Sequence, residues 1–218
     1  MKKAVFLIAA SLVLNKNTFA QSKVYPSGGG ELILSFADMQ VANGDHIDMV
    51  PRFSGFLHLQ SLWNYDPTDV IGFYSGLTMR NVGIITEPND SLKLKQRSYA
   101  LGVPIGIKLG SMDKKFFVFA GGEAEMMFNY KEKQCINGDK KRKFNEWFSD
   151  RTNLFNPSVF AGVQLPGGVN IKFKYYLFDF LNQDYTETVA GVKVKPYDGL
   201  KSQMMYVSIG FNLYKRKK

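Results

Sequence analysis

The sequence holds a single cysteine, Cys135, in 218 residues. No internal disulfide framework can form, although export would permit one. With no His or Cys near it in the chain, Cys135 reads as a spectator rather than a ligand or nucleophile. Histidine is almost as scarce, with His46 and His58 alone. Beyond the first 20 residues no apolar run reaches the roughly 18 residues of a spanning helix. No solenoid-type repeat and no low-complexity linker divides the chain, so residues 21–218 read as one domain. These absences exclude a disulfide-stapled module, a helical membrane protein and a repeat array. Nothing in the sequence calls for a cofactor.

What is present begins with a leader. Lys2 and Lys3 give a positive start, Ala4 to Leu14 an apolar run, and Thr18-Phe19-Ala20 a small-residue cleavage site. The run suits a secretory signal and is too short to anchor a helix in a bilayer, so cleavage is expected before Gln21. Removing Lys2, Lys3 and Lys16 with it lowers the formal net charge from +9 to +6.

The mature chain alternates. Eight period-2 segments fall at residues 31–39, 52–63, 70–83, 97–109, 115–130, 157–165, 169–180 and 204–214. In the fourth, Tyr99, Leu101, Val103, Ile105, Ile107 and Leu109 share one face, against Gly102, Pro104, Gly106 and Lys108 on the other. In the fifth, Phe116, Val118, Ala120, Ala124, Met126, Phe128 and Tyr130 oppose Gly121, Glu123, Glu125, Met127 and Asn129. Successive strand side chains point to opposite faces, so each segment has one apolar and one polar, glycine-rich face. A soluble sandwich or lipocalin-like periplasmic barrel would bury the apolar face; a membrane barrel would turn it to lipid.

The connections favour the membrane barrel. Asn64 to Asp69, Gly110 to Lys114 and Pro166 to Gly168 are tight turns. They alternate strictly with the longer stretches 40–51, 84–96, 131–156 and 181–203. In an up-and-down order, every short turn then falls at one end and every long loop at the other, as in bacterial outer-membrane barrels. Aromatic residues near the strand ends agree: Trp63, Phe73 and Phe116 at the short-turn end, Phe53, Tyr99, Phe128 and Tyr130 at the other. The polar register is also too charged for a dry core. The fold expected is all-β: a closed, up-and-down antiparallel transmembrane β-barrel of about eight strands, monomeric and in the bacterial outer membrane.

Several stretches resemble the small outer-membrane β-barrel proteins of Bacteroidota. They are Gly28-Gly29-Gly30-Glu31-Leu32-Ile33, the run from Gly76 to Gly83, Tyr99 to Lys108 with its Val103-Pro104-Ile105-Gly106 element, Gly121-Gly122-Glu123, Lys172 to Tyr176, and Tyr206 to Phe211. The chain differs from many outer-membrane barrels in following Tyr214 with Lys215-Arg216-Lys217-Lys218 instead of ending on an aromatic. The resemblance spans nearly all of the mature chain and implies fold and location, with insertion by the outer-membrane assembly machinery. It implies no defined activity.

Three groups of residues are candidates for chemistry. The inward charges are Arg52, His58, Arg80, Lys108, Glu123, Glu125, Lys172 and Lys174. An eight-stranded barrel encloses a space that side chains just fill. A salt-bridged interior is therefore expected ahead of a narrow anion-preferring path. The histidines form the second group. A lipid-modifying enzyme would need a His beside a nucleophile, but His58 and Ser61 have odd spacing and point to opposite faces. His46, within Asp45-His46-Ile47-Asp48, has carboxylates beside it but reads as part of a solvated loop. No enzymatic activity is expected. The third group is the basic stretch from Lys131 to Asn156, with Lys140, Lys141, Arg142 and Lys143 at its centre and Phe144, Trp147 and Phe148 interleaved. An exported chain seldom meets nucleic acid. The expected partners are outer-membrane lipid, lipopolysaccharide phosphates or another anionic surface ligand.

Overall fold

The computed structural model describes residues 24–214; the leader expected at residues 1–20 and the terminal 215–218 lie outside the described residues. In chain order the strands are β1 (Val24–Gln40), β2 (Asp48–Met49), β3 (Arg52–Ser54), β4 (Leu59–Tyr65), β5 (Ile71–Asn89), β6 (Leu92–Ser111) and β7 (Phe116–Ile136). They continue as β8 (Asp139–Trp147), β9 (Phe155–Gln164), β10 (Val169–Asp179), β11 (Glu187–Val189), β12 (Val192–Val194) and β13 (Lys201–Tyr214). Among the described residues there is no helix.

Eight of these strands, β1, β4, β5, β6, β7, β9, β10 and β13, pair antiparallel in that order. The ring closes where β13 pairs with β1 from Ser27↔Tyr214 to Gln40↔Lys201. Closure removes both sheet edges, so no strand of the ring is left with an unpaired side. The turns after β4, β6 and β9 lie at one end, the longer connections at the other, and the fold is the closed up-and-down barrel that the alternation implies.

Polarity is inverted relative to a water-soluble core. On β6, Ile105 is 69% exposed on the outside while Lys108, on the inner face, is 1% exposed. The interior is layered along the barrel axis. Lys108, Asp66 and Tyr25 occupy the short-turn end. Above them the rings of Tyr74, Phe119 and Phe160 meet with centroids 6.3 Å apart. A charged layer follows. An apolar cap that includes Ile33, Met127, Phe180, Leu181 and Met204 seals the long-connection end. The inner glycines make these layers possible: a Cβ at Gly106 would run into the Tyr74 ring, and one at Gly102 into the Glu123 carboxylate.

Three expectations need correction. The segment 52–63 is not one continuous strand, because β3 and β4 are separated by a kink in which Leu57 takes a φ of 60°. Residues 84–96 and 131–156 are largely not loop. β5, β6 and β7 run on past the ring, and β8 pairs with the end of β7, making a four-stranded platform at the long-connection end. Tyr130 does not lie on the outer register with Phe128; it is 1% exposed and faces inward. The cause is a β-bulge, since Tyr99 pairs with Asn129 while Ala100 pairs with Met127, leaving Phe128 as the extra residue. One extra residue reverses the facing of all that follows on β7.

Candidate functional site

The charged layer is built from four alternate strands of the ring, β1, β5, β7 and β10, plus β13. Arg80 Nε lies 2.5 Å from Glu31 Oε1, and its NH1 reaches Glu123 and Glu125, the latter at 3.0 Å. Lys174 Nζ bridges Glu123 at 2.6 Å and Glu125 at 2.7 Å, and Lys172 Nζ meets Glu31 Oε2 at 2.7 Å. Thr78 donates to Glu123, Tyr176 to Glu125 and Ser208 to Glu31. Three carboxylates thus face three cations, and the sequence-level excess of basic charge does not extend to this layer. Buried charges persist when they are paired and their remaining lone pairs are satisfied, which is the case here. The space left beside the layer, lined by Tyr74, Arg80, Glu123, Phe160 and Lys172 among others, is about 40 Å³. That volume accommodates only a water or two.

Sequence reasoning missed Glu31 and Asp66. Glu31 carried a readable signal, because it alternates with Leu32 and shares the inner register of Ile33 and Ser35. Asp66 lies in a short turn, where nothing in the local pattern tells that its carboxylate folds inward to Lys108 at 2.6 Å. Of the other candidates, Lys108 therefore sits in a separate cluster, with Asn64 at 3.1 Å and Tyr25 alongside.

Arg52 and His58 stand apart from the charged layer. Arg52 donates to the Asn81 side-chain oxygen at 2.8 Å and to its carbonyl at 3.2 Å. The His58 ring is 2.8 Å from Ser54 Oγ, a partner that strand spacing alone could not show because the β3–β4 kink creates it. His58 Nδ1 accepts the Asn81 backbone N–H at 3.4 Å, which puts the ring proton of a neutral imidazole on Nε2, facing Ser54. Ser54 in turn donates to the Asn81 carbonyl at 3.3 Å. In this arrangement the ring donates to the hydroxyl, the reverse of the direction a general base needs. His46 contacts Asp38 at 3.3 Å, and no cluster of three or more metal-ligating side chains occurs among the described residues.

The basic run is divided by its strand. Lys141 pairs with Asp139 at 3.4 Å, Arg142 lies over the Phe144 ring, and Lys143 turns toward β7 opposite Lys133. Lys140 pairs through its backbone with Cys135, and its side chain lies outside the described part. Nearby, Arg151 clamps the platform to the β11–β12 hairpin: it meets Glu187 at 2.6 Å and Glu146 at 3.7 Å and lies over the rings of Phe144 and Tyr185. Burial works against the Arg151 charge, but the hydrogen bonds to Tyr197 and Glu187 outweigh it and raise its pKa. Burial likewise pushes the Tyr197 phenol up, so it remains a protonated partner at physiological pH.

Ring closure, inverted polarity and a filled, ion-paired lumen define the class: a closed eight-stranded up-and-down barrel. Among solved structures it is similar to Neisserial surface protein A, at 11% identity and TM-score 0.42, over 89% of this chain and 98% of that one. It is also similar to Ail, the attachment invasion locus protein of Yersinia pestis, in complex with the heparin analogue sucrose octasulfate (10% identity, TM-score 0.38, 87% and 99% covered). A third is the outer membrane protein OprG from Pseudomonas aeruginosa (9% identity, TM-score 0.37, 89% and 97% covered). No protein-family model and no curated protein matches the chain. The likeness is too low to carry an argument about function.

Proposed function

We propose that this chain spans the bacterial outer membrane as a non-conducting, non-enzymatic barrel and acts at the cell surface through the platform at its long-connection end. One observation carries the reading: the outer wall is a belt of exposed Leu32, Leu77, Val103, Ile105, Ile171 and Ile209, and the charges are inside. A soluble protein exposing such a belt would associate through it, since contiguous apolar patches on monomers seldom exceed a few hundred Å². A bilayer covers it. The belt segment of β6, Tyr99 to Leu109, has the length that a tilted strand needs to cross the hydrocarbon. Exposed Trp63, Phe73 and Phe116 at one rim, and exposed Phe53 with half-buried Tyr99 and Phe128 at the other, suit the two interfaces.

The filled lumen supports a role on the outside. A leader processed before Gln21, membership among the small Bacteroidota barrels, insertion by the assembly machinery and a monomeric state belong to the same reading. So does an anionic surface partner. A periplasmic ligand-binding barrel would need an apolar lumen, which the ion-paired layer fills instead. The test is fractionation combined with gel mobility. The protein should pellet with outer membranes and migrate compactly until boiled; recovery in the soluble periplasmic fraction would overturn the proposal.

A further inference from the structure

The bulge at Phe128 has a chemical result at the outer wall. By reversing the facing of β7 it brings Lys131 and Lys133 outward, opposite Arg97 and Lys95 of β6, and Lys133 is itself opposite Lys143 of β8. Like charges directly across strands repel, and such ladders are normally avoided. Here three adjacent strands bring them into register. Arg52 lines the same place from the other side. These six cations line one hollow of about 380 Å³ with Phe53 and Ile85. The hollow's single carboxylate, Glu132, accepts from Tyr130 at 2.6 Å and Gln96 at 3.2 Å. None of the six cations has an ion pair with a described carboxylate.

Position selects the ligand. The hollow opens on the wall, immediately beyond the aromatic row in which Phe128 stacks on Trp147 at 5.7 Å and meets Tyr99 at 6.3 Å. Lys131 lies over the Tyr99 ring at 4.9 Å. Aromatic rows of this kind sit at the membrane–water interface, so the hollow is at headgroup height on the long-connection side. Phe53, 67% exposed, leads from the lipid-facing belt into it. From this geometry we infer that the hollow binds the phosphate groups of a phosphorylated lipid headgroup in that leaflet, approached laterally from the bilayer. Phosphate suits the mixture: the Arg97 guanidinium for paired hydrogen bonds, four ammoniums as point charges, and the Arg52 guanidinium, held by Asn81, as a further fixed charge. The inference rests on the membrane-spanning reading and gives its anionic partner a place and a chemistry. The site is distinct from the exposed Lys141–Arg142 tip.

The test uses the full mature chain in neutral maltoside micelles, titrated with mixed micelles of diphosphoryl lipid A, dephosphorylated lipid A, or inorganic phosphate alone. The triple variant K95Q/K131Q/K133Q should bind diphosphoryl lipid A about tenfold more weakly, equivalent to about 1.4 kcal/mol. A charge-matched control at exposed lysines outside the hollow and the basic run, K114Q/K193Q/K201Q, should stay within about twofold of the parent. Dephosphorylated lipid A should bind the parent as weakly as diphosphoryl lipid A binds the triple variant. Equal losses in the triple variant and control would reduce the effect to net charge and overturn the site. Inorganic phosphate binding as tightly as the lipid would overturn the lipid assignment. K133Q alone, which relieves repulsion on both sides, serves if the triple variant misfolds and should weaken binding in the same direction; parent-like binding would overturn the site. Compact unboiled migration of the variants with unchanged binding removes the hollow but leaves the membrane reading intact. Loss of outer-membrane fractionation by the parent removes both.

Discussion

Replacing Glu31 by Gln keeps the size of the side chain and removes one charge from the interior layer. Glu31 is the one described carboxylate within bridging distance of Lys172, whereas Arg80 keeps Glu123 and Glu125. The substitution therefore leaves Lys172 buried and unpaired. Breaking a buried pair from one side costs about 3–5 kcal/mol. Glu123→Gln should cost less, about 1–3 kcal/mol for a lost partner, because Lys174 retains Glu125 at 2.7 Å and Arg80 retains two carboxylates. Urea unfolding in detergent micelles, followed by the loss of compact gel mobility, measures both. With a slope of about 2 kcal/mol per molar, Glu31→Gln should lower the midpoint by about 2 M. Adding Lys172→Met should restore most of the loss, since removing both members leaves no orphan charge. Adding Lys174→Met should not. An equal or larger loss for Glu123→Gln, or no rescue by Lys172→Met, would refute the pairing argument.

Further consequences concern packing, the platform and the lumen. Gly106→Val should destabilise by about 1–3 kcal/mol through collision with Tyr74, read in the same unfolding assay. Arg151→Ala should leave the unfolding midpoint within about 1 kcal/mol of the parent yet speed proteolytic nicking between residues 137 and 155, because the clamp on Glu187, Phe144 and Tyr185 is lost. Cys135 is buried on β7, so a maleimide should label the native protein slowly and the urea-unfolded protein at once. In planar bilayers the purified barrel should show no steady ion current, given the roughly 40 Å³ left in the charged layer. Persistent channel openings would contradict the filled lumen.

The ring itself was legible because period-2 alternation is a backbone property, and residues such as Leu101–Leu109 obey it without interruption. The sorting of turns was legible for the same reason: turn chemistry is local. What escaped was whatever a single extra residue or a long-range partner decides. The Phe128 bulge leaves no mark in the alternation of β7 beforehand, yet it turns Tyr130 inward and Lys131 outward. The platform escaped because strongly basic stretches such as 92–97 and 131–143 carry too few apolar residues for a strand to be recognised by its face. Their pairing is inherited from β5, β6 and β7 below. Asp66 and the Ser54–His58 contact depend on a turn and a kink, whose geometry no spacing rule encodes.

In a membrane-spanning barrel the apolar register of β6 faces lipid. Nitroxide labels placed singly at residues 101, 103, 105, 107 and 109, in a Cys135→Ser background and reconstituted into vesicles, test it directly. A label at 95, beyond the aromatic row, provides the aqueous reference. Oxygen should reach the five positions far better than a water-soluble nickel chelate, with the contrast greatest near residues 103 and 105 at mid-bilayer and reversed at 95. Uniform access of the chelate along 101–109 would contradict the account.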